Sequence, residues 1–361
     1  MSSSPRFSLA AYPAPVQWLA LLLLAGAGGH LLKLLDVPAG QFLGPMLVAI
    51  VFGVAGASIR MHRYAFKLGQ GCVGILVAHS MTLAVLVSMA ESWPMMLFAT
   101  VATVSLSALV ALALVRMGIP ASTAAWGTSP GAASAIVSMA DEYGADSRVV
   151  ATMQYVRVVC VVMIGALVSR WLGAPAGGSV VHVAEAALQG VNLLNLGLTV
   201  ATLLIGVALG NRLSAGALLM PLLLGSALQV SGVLHITLPA WLLATAYGAI
   251  GCYVGLRFDR PTIEYVWRRL PAMILGAVLM IGLCAVSAWL LATLSDKDFL
   301  SIYLATSPGG LDSMAIIAVD THSDVGLVLA MQTLRLFAVI LTGSFVARWI
   351  IRLANHRRIA A

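Results

Sequence analysis

A chain of 361 residues that is 61% hydrophobic and only 9% charged is not a water-soluble globule, in which about a quarter of residues carry charge. Its formal net charge of +7 sits in short loops, without the basic helix or aromatic-rich patch of a nucleic-acid binder, so it reads as a membrane-topology signal. Cys72, Cys160, Cys252 and Cys284 lie inside apolar runs with no CxxC spacing and read as small hydrophobes.

The first fifteen residues are short and polar, with Arg6 and no acidic residue. The apolar run from Trp18 has the form of a signal peptide or of an uncleaved first span, and the span is expected in a multispanning chain. Ten apolar runs are long enough, or nearly so, to cross roughly 30 Å of hydrocarbon at about 1.5 Å per residue. They cover 16–34, 41–58, 66–90, 93–115 and 147–170, then 191–210, 215–233, 239–256, 270–293 and 326–350. Residues 173–190, containing Pro and Gly, form the long linker between them.

Between the fourth and fifth runs stands Thr128-Ser129-Pro130-Gly131, and it recurs as Thr306-Ser307-Pro308-Gly309 at the same place in the second set. Met153-Gln154 and Arg157 follow the first copy as Met331-Gln332 and Arg335 follow the second, at a constant separation of 178. Over Thr128 to Trp171 the ungapped match holds fifteen identities in forty-four positions. Upstream, Gly71 and Gly74 face Gly248 and Gly251 at 177, and Pro45 faces Pro221 at 176. The chain is therefore a duplication, with a first repeat over 16–171, a linker over 172–190, a second repeat over 191–351 and a tail over 352–361.

The segments Ile119 to Tyr143 and Phe299 to His322 are each two short, weakly apolar pieces meeting at Pro-Gly. Such interruptions in matching positions of two halves point to a transporter's binding site. Charge placement chooses between crossing and turning back. If both segments are re-entrant hairpins, the loop of Arg60, Arg63 and Lys67, the loop of Arg257, Arg260, Arg268 and Arg269, and the tail with Arg352, Arg357 and Arg358 all fall in the cytoplasm, with Glu91 outside. If they cross, four arginines between Arg257 and Arg269 are stranded outside. The expected architecture is an all-α polytopic membrane protein of two inverted-topology repeats, each with five transmembrane helices and one re-entrant hairpin, both termini being cytoplasmic.

At each Ser-Pro-Gly the proline suits the first turn of a helix capped by the preceding Ser or Thr, and Gly131 and Gly309 allow close approach to the backbone. Backbone N–H groups and a helix dipole would then face a cavity as an anion site, with Thr128, Ser129, Ser134, Thr306, Ser307, Gly310 and Ser313 around it. A tight helix contact between small residues is the plainer alternative. Arg157 and Arg335 fall near mid-bilayer and share a helix face with Gln154 and Gln332. They either clamp an oxyanion, or cap carbonyls of the broken helices, or, for Arg335, pair with Asp312. Asp312, whose counterpart is Ser134, could instead carry a proton or help hold Na⁺.

His79 reads as a helix contact before a proton relay, and Asp320, His322 and Asp324 as a solvated turn before a metal site. Asp141, Glu142, Asp146 and Arg148 occupy the corresponding turn, as a gate or a wet loop. Histidines are scattered without ligand spacing, and no Ser/His/Asp set, P-loop or dinucleotide fingerprint is present, so neither an enzyme nor a resident metal or cofactor is expected.

The doubled TSPG segment followed by a Met-Gln-x-x-Arg helix, in two copies over nearly the whole chain, resembles the bacterial AbrB-type membrane proteins with a duplicated domain. These are labelled ammonia monooxygenases or regulators of gene expression and are distinct from the small soluble AbrB DNA-binding proteins. More distantly the pattern is similar to the inverted-repeat superfamily of the sodium/glutamate symporter and cation/proton antiporters, which implies re-entrant hairpins at a central site. The first copy departs from the second, reading Pro-Gly-Ala-Ala-Ser at Pro130 to Ser134 against Pro-Gly-Gly-Leu-Asp at Pro308 to Asp312.

The resulting expectation is an ion-coupled secondary transporter of the bacterial inner membrane for a small, anionic organic solute, coupled to Na⁺ or protons. Its partners would be that solute, lipid and, as an open option, a second copy in a homodimer, with no nucleic acid. A membrane sensor acting on gene expression is the alternative. Ammonia oxidation is set aside for want of a His/Asp/Glu cluster.

Overall fold

The computed structural model describes residues 9–80, 92–131, 136–137, 140, 143–172, 193–212, 216–295 and 297–359. Among these every regular element is helical. In chain order the α-helices are α1 (Ala14–Leu34), α2 (Gly40–Val54), α3 (Arg63–Ser80), α4 (Trp93–Arg116), α5 (Ala121–Thr128), α6 (Ser147–Trp171) and α7 (Leu193–Leu209). They continue as α8 (Gly216–Val230), α9 (Ala240–Gly255), α10 (Arg260–Val266), α11 (Leu270–Leu294), α12 (Phe299–Thr306), α13 (Leu311–Asp320) and α14 (Val325–Ile359).

Local chemistry sets many of the boundaries. Prolines occupy the first turns of α1, α4 and α11, where no amide hydrogen is required. Asp146 accepts from the Val149 amide to cap α6, and Asp298 accepts from the Ser301 amide to cap α12. After α4 the chain reverses through Gly118 at φ +91°, a conformation that favours glycine, and Pro120 then caps α5.

Four helices, α1, α4, α6 and α11, have the length and apolar composition to cross a membrane, and a fifth span results if α14, bent by 61° between Val339 and Thr342, counts as one. The helices α2, α7, α8 and α9 are apolar but have only 15, 17, 15 and 16 residues. They rise about 22–26 Å, short of the roughly 30 Å hydrocarbon core. The ten apolar runs thus become four full-length helices, one bent helix, four short ones and α3, while residues 81–90 of the third run lie outside the described residues.

The chain folds into two compact units that do not follow its sequence halves. One comprises Met1–His79 with Gly173–Tyr265, the other Ser80–Leu172 with Val266–Ala361. In the first unit α2 packs between α1 and α9, and α7 packs on α8. Its close contacts are reciprocal between the halves. A Cβ on Gly74 would lie 2.3 Å from the Leu218 carbonyl oxygen and 3.2 Å from the Leu222 amide. A Cβ on Gly251 would lie 2.5 Å from the Phe42 carbonyl oxygen and 3.0 Å from the Met46 amide. Leu218, Leu222 and Gly251 are the counterparts of Phe42, Met46 and Gly74 at separations of 176, 176 and 177. Without a hydrophobic drive between helices in lipid, glycines that let backbones touch are what holds such pairs.

In the second unit α4 and α11 pack on each other and against the broken pairs. Helix α5 lies against α4, α6 and α14, α12 against α11 and α14, and α13 against α6 and α14. Helix α5 thus touches α14 of the second half, and α12 and α13 touch α4 and α6 of the first.

A pair of arginine–glutamine clamps on two helix breaks

Both TSPG segments interrupt a helix, but not where the sequence placed the caps. Ser129 ends α5 at φ −57°, ψ 123°, and Ser307 ends α12 at φ −54°, ψ 138°. Helix α13 starts at Leu311 behind Gly310, with no side-chain cap, so Pro308 lies in the break and Ser307 closes the preceding helix, where the sequence reading had it opening the next. The proline excludes its own residue as a donor and disfavours helix at the serine, which stops α5 and α12 one residue before it. What each break presents to its surroundings is therefore a fan of terminal carbonyl oxygens.

Those carbonyls are met by the Gln and Arg of the following helix. Gln154 Nε2 donates to the carbonyls of Trp126 (3.0 Å), Gly127 (3.3 Å) and Ser129 (3.1 Å). Arg157 Nη1 donates to Thr128 (3.3 Å) and Ser129 (2.9 Å), while Nη2 donates to Gln154 Oε1 at 2.7 Å. The second copy repeats this arrangement. Gln332 Nε2 donates to Leu304 (2.9 Å) and Ser307 (3.2 Å), Arg335 Nη1 to Ser307 (2.6 Å), and Nη2 to Gly309 (3.0 Å) and to Gln332 Oε1. Of the three roles considered for the arginines, capping of the broken helices is thus the one their hydrogen bonds display. Arg335 directs its donors to carbonyls and to Gln332 and none to Asp312.

All four clamp residues are buried, the arginines to 4% exposure. Inserting an arginine at the centre of a membrane helix costs about 2.5–3.5 kcal/mol on insertion scales. Each hydrogen bond from a charged donor contributes roughly 1.5–3 kcal/mol, so three per guanidinium offset that cost. A helix C-terminus carries about half a negative charge, which places a cation well. The neutralisation is nevertheless incomplete. Two breaks supply about −1 against two full positive charges. Among the described residues neither has a carboxylate within ion-pair distance.

The remaining polar groups differ between the breaks. Thr128 Oγ1 donates to the carbonyls of Ala124 (3.0 Å) and Ser107 (3.2 Å), Thr306 Oγ1 to Ile302 (2.8 Å), and Ser129 Oγ to Ala125 (2.8 Å). Ser307 Oγ, by contrast, has no partner, and neither do Tyr303 OH, Trp126 Nε1 or the Nε of either arginine. Tyr303 and Trp126 were not among the candidate residues of the sequence. Tyr303 sits four residues before Ser307, on the same helix face, and that spacing was the available signal.

Of the other candidates, Gly131 is approached by Ile136 and Val339 side chains, and Gly309 by Met314, so what comes near both glycines is apolar. A Cβ on Gly310 would meet only Ser313 Oγ, at 3.6 Å. Asp312 is half-buried in the first turn of α13, where a helix dipole favours an anion, and Ser313 is buried beside it. Ser134, Asp141 and Glu142 lie outside the described residues. Asp324 accepts from the Leu327 amide to begin α14 and pairs with Lys297 at 3.4 Å, as Asp146 begins α6, so both turns serve as helix starts. His79 is half-buried near the end of α3. No three His, Cys, Asp or Glu side chains come together as a metal site among the described residues.

Comparison with known proteins places these features. The family model "Transition state regulatory protein AbrB" matches residues 42–351, which includes both breaks and both clamps. The "Putative regulator AbrB" of Escherichia coli (strain K12) is 41% identical over 328 residues, covering 89% of this chain and 92% of its own length. The "Uncharacterized protein YhjN" of Bacillus subtilis (strain 168) is 26% identical over 344 residues, covering 88% of each. With a match that runs through both copies of the TSPG segment and the Gln-x-x-Arg helix behind each, the chain belongs to the AbrB family.

Proposed function

We propose that this protein is an ion-coupled secondary transporter of the bacterial inner membrane, moving a small anionic organic solute by alternating access at paired re-entrant hairpins in two inverted repeats. The observation that carries the reading is the buried, incompletely neutralised pair Arg157 and Arg335 at two helix breaks. Arginines cost too much at membrane depth to be kept without a partner, a wet cavity or a passing anion. The reciprocal glycine contacts and the mixing of both halves in each unit support a two-fold relation between the repeats. Placing every basic cluster on one side then favours opposed orientations with cytoplasmic termini.

The second break is the better solute contact. Ser307 Oγ, Tyr303 OH and Arg335 Nε are buried donors without partners, and a carboxylate accepting from two of them would repair a desolvation cost of about 1–3 kcal/mol for each. Asp312 in the adjacent helix start is the candidate for proton or Na⁺ coupling. Flux of small carboxylic and amino acids into proteoliposomes, with a Na⁺ or proton gradient imposed separately, tests the proposal. Accumulation driven by one gradient and reduced at least tenfold in Tyr303→Phe or Ser307→Ala is expected. Flux indifferent to both gradients defeats the coupling.

A regulator of gene expression is the second reading, favoured by the printed descriptions of the family model and of the Escherichia coli relative. Transport-dead variants that keep an expression phenotype would select it. An enzymatic role is not proposed.

A further inference from the structure

We infer that the first unit binds the headgroup of an anionic phospholipid at a basic patch where the start of α3 meets the end of α9. Arg63, Phe66 and Lys67, spaced three and four residues from the first, share one face of α3. The Phe66 ring stacks on Tyr253 at a centroid distance of 4.2 Å, and the Arg257 guanidinium lies 4.6 Å over that same tyrosine. Lys67 Nζ donates to Asn211 Oδ1 in the turn before α8. Arg63, Lys67 and Arg257, from distant parts of the chain, are thus gathered around one aromatic stack.

Charge selects an anion. Residues 57–67, 210–212 and 253–264 carry six arginines and lysines against two acids. Both acids are already engaged, Asp259 by Arg60 at 2.7 Å and Glu264 by Arg260 at 2.9 Å. Among the described residues neither Arg63 nor Lys67 has a carboxylate within ion-pair distance. Lys67 gives Asn211 one of its three ammonium hydrogens and keeps the others. Arg63 is exposed, with its guanidinium 5.4 Å over the Tyr64 ring, and a guanidinium seated on a ring keeps its N–H edge for an oxyanion.

The adjoining face selects a lipid over a soluble anion. Tyr64 and Leu68, one helical turn apart on α3, are 49% and 40% exposed beside the cations. From Leu68 to Ala78 the helix carries no charged side chain. The change from basic to apolar therefore falls between Lys67 and Leu68, with tyrosines at the same level, which is the make-up of a membrane–water boundary. A phosphodiester there can accept from Arg63 and Lys67 while its acyl chain lies along Tyr64 and Leu68. Free phosphate meets only exposed charges, whose attraction salt screens. A zwitterionic lipid brings its own cation against the patch. None of these residues belongs to the helix breaks, so the inference stands whether or not the protein moves a solute.

The test uses full-length protein in a non-ionic detergent, titrated with phosphatidylglycerol, phosphatidylcholine or free glycerol phosphate at constant ionic strength. Phosphatidylglycerol should raise the melting temperature saturably, at concentrations at least about tenfold below any effect of phosphatidylcholine, and glycerol phosphate should give no rise. Arg63→Gln and Lys67→Gln, single exchanges that keep a polar side chain, should each weaken that response at least about threefold. Arg116→Gln, at an exposed arginine of the other unit, should leave it unchanged. A photoactivatable phosphatidylglycerol gives a readout independent of any variant, with cross-links expected within residues 60–68 of the unaltered protein. An equal response to both lipids, an equal rise with glycerol phosphate, a loss in Arg116→Gln as large as in Lys67→Gln, or cross-links confined to other segments overturns the inference. Each of those results leaves the transport proposal untouched.

Discussion

The two helix breaks share a clamp and differ in everything around it. At the first, Gln154 spans three carbonyls, Ser129 and Thr128 return their hydroxyls to the helix, and a small cavity adjoins the arginine. At the second, Gln332 reaches two carbonyls, Arg335 reaches past Ser307 to Gly309, and Ser307 and Tyr303 hold buried hydroxyls with no partner. Duplication preserved what an interrupted helix cannot do without, namely donors for its orphaned carbonyls. It left the side-chain hydroxyls to diverge. Each break keeps a buried arginine Nε–H without a partner, and the second adds the orphaned hydroxyls of Ser307 and Tyr303.

Removing either arginine should have the largest effect. Arg157→Ala or Arg335→Ala strips buried carbonyls of charged donors and is expected to cost about 3–5 kcal/mol, read as a lower melting temperature in detergent. Comparable losses would make the clamp the common element. A loss below about 1 kcal/mol at one break would mean that the arginine there has another purpose.

The glutamines sharpen the contrast. Gln154→Leu exposes three carbonyls to loss and Gln332→Leu two, so the first variant should be the less stable by about 1 kcal/mol, one net hydrogen bond. The reverse order in a chemical-denaturation or thermal series would contradict the larger share of carbonyls held by Gln154.

Smaller still, and opposite in sign, are the serines. Ser129→Ala removes the bond to Ala125 and should destabilise by about 1 kcal/mol, whereas Ser307→Ala deletes an orphaned hydroxyl and should be neutral or slightly stabilising. The same Ser307→Ala protein should lose any stabilisation by the transported acid. Retention of that response would move the solute away from the second break. The smallest change belongs to Gly310→Ala, whose Cβ enters open space and whose φ of −75° is ordinary, so a shift within about 0.5 kcal/mol is expected. Gly309→Ala, with Met314 at 2.8 Å, should cost more.

Much of this was legible before any coordinates. Composition and run length pointed to helices apolar and long enough to cross a membrane, and the repeated Thr-Ser-Pro-Gly and Met-Gln-x-x-Arg strings located both breaks and all four clamp residues. Burial of the arginines followed as well, because a charge amid apolar helix must face inward. The direction of the chemistry was not legible. Pro308 was read as opening a helix, though it lies beyond the end of one, and the two readings differ only in whether the following residues take helical φ and ψ at once or after Gly310. That difference puts the terminal carbonyls of α5 and α12 against the guanidiniums, while the first turn of α13 begins after Gly310 without a side-chain cap.

Sequence by itself determined that two like segments would interrupt two like helices, since proline and the apolar period act locally, over a turn or less. Tertiary structure alone decided which halves share a unit, which hydroxyls go unpaired and where a cavity stays beside Arg157. Those outcomes depend on residues far apart in the chain, such as Met280 and Thr128, which line one cavity, and no local pattern encodes them.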